Sequence, residues 1–203
     1  MTVGRTRESS HRRALQGLGL VALLLLGAGC STDENAGGFQ QSCLTFLATK
    51  GPIDGEVTSV WGSESTCETA EVELVIPGGV DHVWGASFDV MYDNTLAVFA
   101  GMSAGDSFLT QDGNFLFLEQ EDDQNGKVVI GITRTDSANN VGVAPLVDNS
   151  LIIRLFFFRI ATGGDAPFEL VNGHLWKVEN PGDQPTKIDP PILFSGGEFF
   201  IEN

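Results

Sequence analysis

Short runs in which apolar and polar residues alternate constrain the fold of this chain more than any other feature of its sequence. Residues 71–76 (EVELVI) and 87–93 (SFDVMYD) alternate with the period of two that an extended strand produces. Further strand-like runs lie at residues 115–121, 127–135, 151–161, 167–171 and 198–202. Clusters of Gly, Asp and Asn separate these runs at short spacing, and almost no segment has a helical period. The pattern predicts an all-β, antiparallel β-sandwich.

The dipeptide Asn125-Gly126 predicts a β-hairpin between two of these runs, because both residue types tolerate the positive φ of a tight turn. The same segment has a second interpretation as a calcium loop, since Glu121, Asp123 and Asn125 match ligand positions of an EF-hand. The twelfth position of that loop is Ile132, which cannot coordinate calcium. A hairpin is therefore favoured. No cofactor is expected, and a structural calcium ion is left open as an alternative.

The chain begins with a segment that is typical of an exported lipoprotein. Four arginines and one glutamate precede residues 17–29 (GLGLVALLLLGAG), an uncharged run that is short for a membrane span and suits a signal-peptide core. Residues 27–30 (GAGC) resemble the bacterial lipoprotein box, which implies removal of residues 1–29 and lipidation of Cys30. We expect the product to be exported and lipid-anchored to the bacterial cell envelope, at the outer membrane or the cell surface.

The remainder of the chain divides into a linker and one domain. Residues 30–42 hold the cysteine and a polar, Gly-containing stretch that predicts a flexible tether, and residues 43–203 suit a single domain. The leader contains four of the 11 basic and one of the 27 acidic residues, so the mature chain has a net charge of about −19 at pH 7. Such a charge disfavours nucleic acid as a partner. Contact with the membrane is accordingly expected through the lipid anchor.

Two cysteines remain after Cys30 is set aside. Cys43 and Cys67 would share an oxidising compartment, where an even pair usually forms a disulfide. Two free buried thiols are the alternative. The sequence therefore predicts a Cys43–Cys67 disulfide that closes a loop of about 25 residues and stabilises the fold by roughly 3 kcal/mol.

Much of the domain resembles the cohesin family. The resemblance lies in an alternating strand followed by Tyr-Asp, a later core strand, a strand pair after it, and a closing Gly-Gly strand. The matching segments are residues 83–109, 127–133, 150–158, 163–164, 168–170 and 195–201. Together they span about residues 70–203, while residues 43–69 match no known pattern. The resemblance implies a jelly-roll β-sandwich of about nine strands, similar to bacterial cellulose-binding modules. It also implies docking of dockerin-like protein modules in polysaccharide-degrading assemblies.

One motif and one group of aromatic residues are candidates for small-molecule chemistry. Gly101, Ser103 and Gly105 spell the G-x-S-x-G of a nucleophile elbow, but no helical pattern follows them, so a glycine-rich turn is favoured and no catalytic residue is predicted. Aromatic side chains can stack on sugar rings because both present apolar faces. Three tryptophans are candidates for such stacking, with packing in the core as the alternative: Trp61, Trp84 and Trp176.

One strand predicts a partner-binding surface. Residues 151–158 are apolar on both faces, whereas a sandwich strand needs only one apolar face. The second face is either covered by the chain itself or exposed to a partner. Its candidate contact residues are Ile152, Arg154, Phe156 and Phe158. If the face is exposed, replacing Phe156 and Phe158 by Ser should abolish partner binding and leave the domain folded.

The sequence thus predicts a non-catalytic, lipid-anchored, extracytoplasmic binding module that resembles a cohesin. A carbohydrate-binding module that recognises polysaccharide is the alternative, and a structural envelope lipoprotein is a third interpretation.

Overall fold

The computed structural model describes residues 42–76, 78, 80, 83–106, 114–135, 150–180, 183–189 and 191–202. Within these residues the secondary structure consists of twelve β-strands. The first six are β1 (Cys43–Ala48), β2 (Glu56–Trp61), β3 (Thr69–Ile76), β4 (Val83–Met91), β5 (Ala97–Ala104) and β6 (Phe115–Asp122). The others are β7 (Lys127–Arg134), β8 (Ser150–Arg159), β9 (Gly164–Lys177), β10 (Thr186–Lys187), β11 (Leu193–Ser195) and β12 (Gly197–Glu202).

The strands form two sheets. Sheet A has the order β1-β12-β9-β4-β7-β6, with the short β10 paired to β9, and sheet B has the order β11-β2-β3-β8-β5. Every strand pair given by this order is antiparallel except β11 with β2, which run parallel. The predicted all-β sandwich is confirmed, with twelve strands in place of about nine. Among the described residues, no helix has the length and apolar character needed to cross a membrane.

Aromatic rings fill the centre of the core between the sheets. Phe157 of β8 is fully buried, and its ring centroid lies 5.0–5.7 Å from those of four aromatic residues. These neighbours are Tyr92, Phe99, Phe168 and Phe199. Edge-to-face and tilted contacts of this kind stabilise a core beyond the area that they bury. The next side chain along β8, Phe158, is 51% exposed, as expected for alternate residues of a strand.

Three segments differ from the sequence-based expectations. Residues 43–69, which matched no pattern, supply β1 and β2. The predicted glycine-rich turn at residues 101–105 is wrong, because residues 97–104 form β5 and pair with β8. The strand expected at residues 167–171 is the middle of the fourteen-residue β9. Pairing with two or more neighbouring strands extends β9 beyond its apolar run, and no single-segment pattern reveals such pairing.

The hairpin between β6 and β7 is confirmed. A four-residue turn joins Asp122 to Lys127, and the N–H of Asn125 donates to the carbonyl of Asp122 over 3.1 Å. Gly126 has a φ of 58° and lies against the carbonyl of Tyr92, with no room for a Cβ atom. Its own carbonyl accepts a hydrogen bond from the Tyr92 N–H over 2.9 Å. The turn therefore needs glycine at this position.

The Cys43–Cys67 disulfide is confirmed and marks one end of the sandwich, which we call the tether end. Cys43 is the first residue of β1 and follows the predicted tether directly. β1 pairs with β12, and Ile201 of β12 pairs with Gly164, so the first residue of β9 also lies at the tether end. β9 runs from there for fourteen residues, or roughly 40 Å, to the opposite end of sheet A.

Candidate binding surface

The outer face of sheet A carries exposed apolar side chains on its edge strand. Phe117 of β6 packs against the core, so Leu116 and Leu118 lie on the opposite face, and both are exposed. Leu118 is opposite Gly131 of β7, which adds no side chain, and its own exposure is 63%. Val129, two residues before Gly131, is exposed on the same face. These three side chains form an apolar strip on β6 and β7.

A groove of about 210 Å³ continues this strip toward the end of sheet A that lies opposite the tether end. Trp84 and Trp176 line it together with Leu116 and Leu118. Gly85 of β4 pairs with Trp176 and lies so close to the carbonyl of Ile132 that a Cβ atom would meet it at 2.9 Å. This close strand approach gives the groove a floor of backbone and leaves its walls to the apolar side chains.

A polar cluster around the buried Asp89 lies on the same face at the centre of the sheet. Asp89 of β4 accepts hydrogen bonds from Lys127 Nζ over 2.8 Å and from the Asn172 side-chain amide over 2.7 Å. Burial alone would raise the pKa of Asp89, but these hydrogen bonds and the positive charge of Lys127 hold the pKa below its ordinary value. Asn172 has a φ of 54°, at a point where the register of β9 against β4 shifts. Lys127 compensates the charge of Asp89, so the cluster holds an ion pair in a fixed position.

Acidic side chains surround the β6–β7 turn. Burial raises the pKa of Glu121, and the neighbouring carboxyl groups of Glu119 and Asp123 raise it further. Like charges held this close to one another favour a cation or a basic partner. In the part of the chain that the structure describes, however, no group of three His, Cys, Asp or Glu side chains is arranged to hold a metal ion.

The three candidate tryptophans separate into two places. Trp84 and Trp176 line the same groove, but Trp84 is only 8% exposed, in agreement with the packing alternative. Trp176 is partly exposed, and Lys187 Nζ lies 5.3 Å from its ring centroid. Trp61 ends β2 in the other sheet and is 40% exposed, so it cannot form one platform with the other two. The sequence alone identified the residue types but could not pair them, because the pairing depends on β4 and β9 being neighbours.

The four candidate contact residues of β8 do not form a continuous exposed strip. Ile152 is fully buried, which corrects its prediction as a contact residue, because the register of β8 against β3 shifts beside it. Phe156 is half-buried, and Phe158 is exposed. For Arg154, Phe156 and Phe158, contact with a partner stays a prediction.

Arg154 is engaged within the domain. Its Nε atom lies 3.3 Å from a carboxylate oxygen of Glu71 and 3.4 Å from one of Glu73, and its Nη1 atom donates to the carbonyl of Ala104 over 3.1 Å. Glu71, expected on a polar outer face, is fully buried, and its carboxylate also accepts a hydrogen bond from the backbone N–H of Glu64 over 2.6 Å. Arg154 thus neutralises a buried carboxylate, a structural role.

Two further sequence predictions concern other parts of the chain. Ser103 of the G-x-S-x-G motif lies within β5, and the motif therefore does not form the strand-to-helix turn of a nucleophile elbow. Cys30, the predicted lipidation site, lies outside the described residues.

The apolar strip was missed at the sequence level, although a signal was present. Residues 115–118 (FLFL) are apolar in four successive positions, so one of the two faces of β6 has no core to pack against. The run of β8 is likewise apolar on both faces, and there this pattern did predict a contact surface. Asp89 and Asn172, by contrast, are 83 residues apart in sequence, and no local pattern connects them.

No protein-family model matches the sequence, and no curated protein matches it significantly. Solved structures that are similar in fold include a type I cohesin–dockerin complex from Clostridium thermocellum, with 9% identity, a TM-score of 0.48, and 75% of this chain and 96% of that chain covered. The second type II cohesin of an Acetivibrio cellulolyticus adaptor scaffoldin has 13% identity, a TM-score of 0.47, and 79% and 96% coverage. A non-cellulosomal cohesin from Archaeoglobus fulgidus has 12% identity, a TM-score of 0.44, and 76% and 88% coverage. At such identities the likeness concerns the fold alone.

Proposed function

We propose that this chain is a non-catalytic docking module, anchored by lipid on Cys30 to the outside of a bacterial cell envelope, that binds a protein partner through the outer face of sheet A. The resemblance of residues 70–203 to the cohesin pattern suggests a dockerin-like module as the partner. The observation that carries the proposal is the open apolar strip, which continues into the groove of Trp84 and Trp176.

The chemistry of this face suits a protein interface. Exposed leucines beside a tryptophan-lined groove offer apolar area and a recess for an anchoring side chain, the usual centre of an interface. The Asp89–Lys127 ion pair lies on the same face, and the acidic β6–β7 turn follows β6, with Glu119 and Glu121 on the Phe117 side of that strand. A partner with apolar side chains would complement the strip and the groove, and Lys or Arg that reaches the acidic turn would add a contribution that weakens as salt is added.

The position of the groove suits an anchored receptor. The predicted tether joins the domain at Cys43, whereas Trp84 is the second residue of β4 and Trp176 the next-to-last residue of β9, at the opposite end of sheet A. A partner bound there would be held on the side of the domain away from the anchor.

A matched pair of leucines tests the proposal. Leu118 and Leu193 are 63% and 62% exposed, but Leu193 lies on β11 of the other sheet. In titration calorimetry of the mature chain against dockerin modules from the same genome, Leu118→Asp should weaken binding at least about tenfold, equivalent to about 1.4 kcal/mol. Leu193→Asp should leave the affinity unchanged. Equal effects of the two variants, or no binding by any dockerin, would refute the assignment of partner and face.

Polysaccharide binding is the second candidate, and the shared groove of Trp84 and Trp176 favours it. A sugar ring stacked on Trp176 would bury the apolar faces of both rings. Affinity electrophoresis on soluble glucans tests this with Trp176→Ala, and with Trp61→Ala as the control on the other sheet. Retardation that only Trp176→Ala abolishes, without dockerin binding, would establish the sugar function in place of docking.

The anchor is tested separately in the producing cell. Intact-protein mass spectrometry should show a chain that begins at Cys30 and carries fatty acids, and Cys30→Ser should release the protein from the membrane fraction. A retained leader with an unmodified Cys30 would contradict anchoring and leave the binding assays unaffected.

A further inference from the structure

Large apolar side chains are exposed on both faces of sheet B near the end where the tether joins the domain. Trp61 lies opposite the core residue Val72, and Phe158 lies opposite Thr69 on the outer face. Trp61, the last residue of β2, is 40% exposed. Phe158, the next-to-last residue of β8, is 51% exposed, and Ile160, just beyond β8, is 55% exposed. Phe158 and Ile160 are two residues apart and follow the alternation of the strand. Val98 of β5 lies opposite Phe158 on the outer face, and its apolar side chain is partly exposed.

The chain path ties this apolar end to the tether. Cys43, the first residue after the tether, is bonded to Cys67, and Thr69 pairs with Phe158. Two residues span at most about 7 Å, and neighbouring strands lie about 5 Å apart. The N–H of Arg159 also donates to the carbonyl of Glu68 over 2.9 Å. The apolar end therefore lies within about two strand spacings of the disulfide that receives the tether.

The tether is short compared with the domain. Twelve residues, numbers 31–42, separate Cys30 from Cys43. A flexible chain of that length has a mean end-to-end distance of about 20 Å, so an anchored domain stays close to the lipid surface. Because of this restriction, the region around Cys43 meets the surface at a high local concentration.

Ion pairing reduces the electrostatic penalty on the sheet B side of this end, whereas the acidic β6–β7 turn lies on the sheet A side of the same end. Arg159 Nη2 pairs with Glu68 over 2.7 Å, and Arg154 lies 3.3–3.4 Å from Glu71 and Glu73. The two arginines therefore compensate two of these three carboxylate charges.

We propose that Trp61, Phe158 and Ile160 contact the lipid surface into which Cys30 is anchored and so hold the domain upright, with the groove of Trp84 and Trp176 directed away from the membrane. The proposal rests on the lipid anchor of the proposed function, and not on the identity of the partner. Aromatic and aliphatic side chains favour the boundary between headgroups and acyl chains. A contact too weak to recruit a free protein is sufficient for one that is already tethered.

Tryptophan quenching by brominated lipid tests the contact. The mature chain, residues 30–203, is coupled through the Cys30 thiol to maleimide-bearing lipid in phosphatidylcholine vesicles, so the test does not depend on lipidation in the cell. Phosphatidylcholine brominated on its acyl chains should quench the tethered wild type. Trp61→Phe should remove this quenching, because Trp84 and Trp176 lie at the opposite end of the molecule.

The variant pair Phe158→Ser with Ile160→Ser should reduce the quenching by about half or more, whereas Leu116→Ser with Leu118→Ser on sheet A should leave it unchanged. Ile160→Ser alone should give a partial loss of quenching. Because Ile160 lies outside the strand, this single variant should fold even if the double variant does not, and circular dichroism checks the folding of both. Absent quenching, quenching that persists in Trp61→Phe, or equal effects of the two double variants would overturn the proposal. A change in tryptophan emission that also occurs when the protein is crowded on a lipid-free support would indicate contact between copies of the protein, and it would likewise overturn the proposal.

Discussion

The two adjacent phenylalanines of β8 provide a test of which face of sheet B forms the core. Phe157 is fully buried among four aromatic side chains, whereas its neighbour Phe158 is 51% exposed. Phe157→Ala and Phe158→Ala therefore delete the same atoms from opposite faces of one strand.

The expected magnitudes differ severalfold. Truncating a core phenylalanine to alanine costs about 3–5 kcal/mol, through lost apolar transfer energy and the cavity that remains. Each aromatic contact adds about 0.5–1.5 kcal/mol beyond area burial, and Phe157 makes four. We expect Phe157→Ala to lower the free energy of unfolding by about 5 kcal/mol. Phe158→Ala should lower it by about 1 kcal/mol or less, because its side chain is half exposed before the change.

Urea unfolding of the mature chain, followed by far-ultraviolet circular dichroism, measures both values. With a slope of about 2 kcal/mol per molar urea, Phe157→Ala should shift the midpoint by about 2.5 M. Phe158→Ala should shift it by about 0.5 M or less. Equal losses, or a larger loss for Phe158→Ala, would refute the assignment of the inner face.

Three further predictions concern the disulfide, the hairpin turn and the outer-face cluster. Replacing Cys43 and Cys67 by Ser should lower the unfolding free energy by about 3 kcal/mol in urea, because a loop of about 25 residues is released in the unfolded chain; a loss below about 1 kcal/mol would contradict this. Gly126→Ala should cost about 1–3 kcal/mol in the same assay, since a Cβ atom would meet the carbonyl of Tyr92 at positive φ; an unchanged midpoint would show that the turn has another conformation. The pKa of Asp89 is lowered in the folded state, so its carboxylate stabilises the fold above an unfolded pKa of about 3.9, and this contribution is lost as pH falls through the folded pKa. The Asp89→Asn variant should therefore lose less thermal stability than the wild type between neutral pH and pH ~3. If it loses as much as the wild type, the loss of stability comes from other carboxyl groups.

Several parts of the fold could be predicted from local pattern. The alternation in residues 71–76 placed Val72, Leu74 and Ile76 on one face, and all three are fully buried. Asn125-Gly126 predicted the β6–β7 turn, and Gly126 has the positive φ that the turn requires. These predictions succeeded because side-chain alternation and turn conformation are properties of a few consecutive residues.

Other parts depended on contacts between distant segments. Gly101 within β5 and Gly105 after it suggested a turn, but pairing with β8 holds β5 extended. Glu71 follows the polar side of an alternating pattern, yet Arg154, 83 positions later in the chain, provides the charge that allows it to be buried. Ile152 follows the outward side of β8 but lies beside a register shift. In each case a partner remote in sequence outweighed the local preference.

The candidate binding surface shows the same division. The sequence singled out tryptophan as a residue type suited to binding, but it could not show that Trp84 and Trp176 share a groove and that Trp61 does not. That separation follows from the order of the strands in sheet A, where β4 lies between β7 and β9.

By itself, the sequence determined the all-β class, the hairpin and the disulfide partners, while the leader and the lipidation of Cys30 stay predictions. Each of these depends on local periodicity, on turn chemistry or on a count of residues. Only the tertiary structure decided that Leu116 and Leu118 face solvent beside the groove, and that the groove lies at the end opposite Cys43. The physical reason is that exposure and position depend on strand order and register. These are set by the packing of two whole sheets, to which every strand contributes and which no single strand specifies.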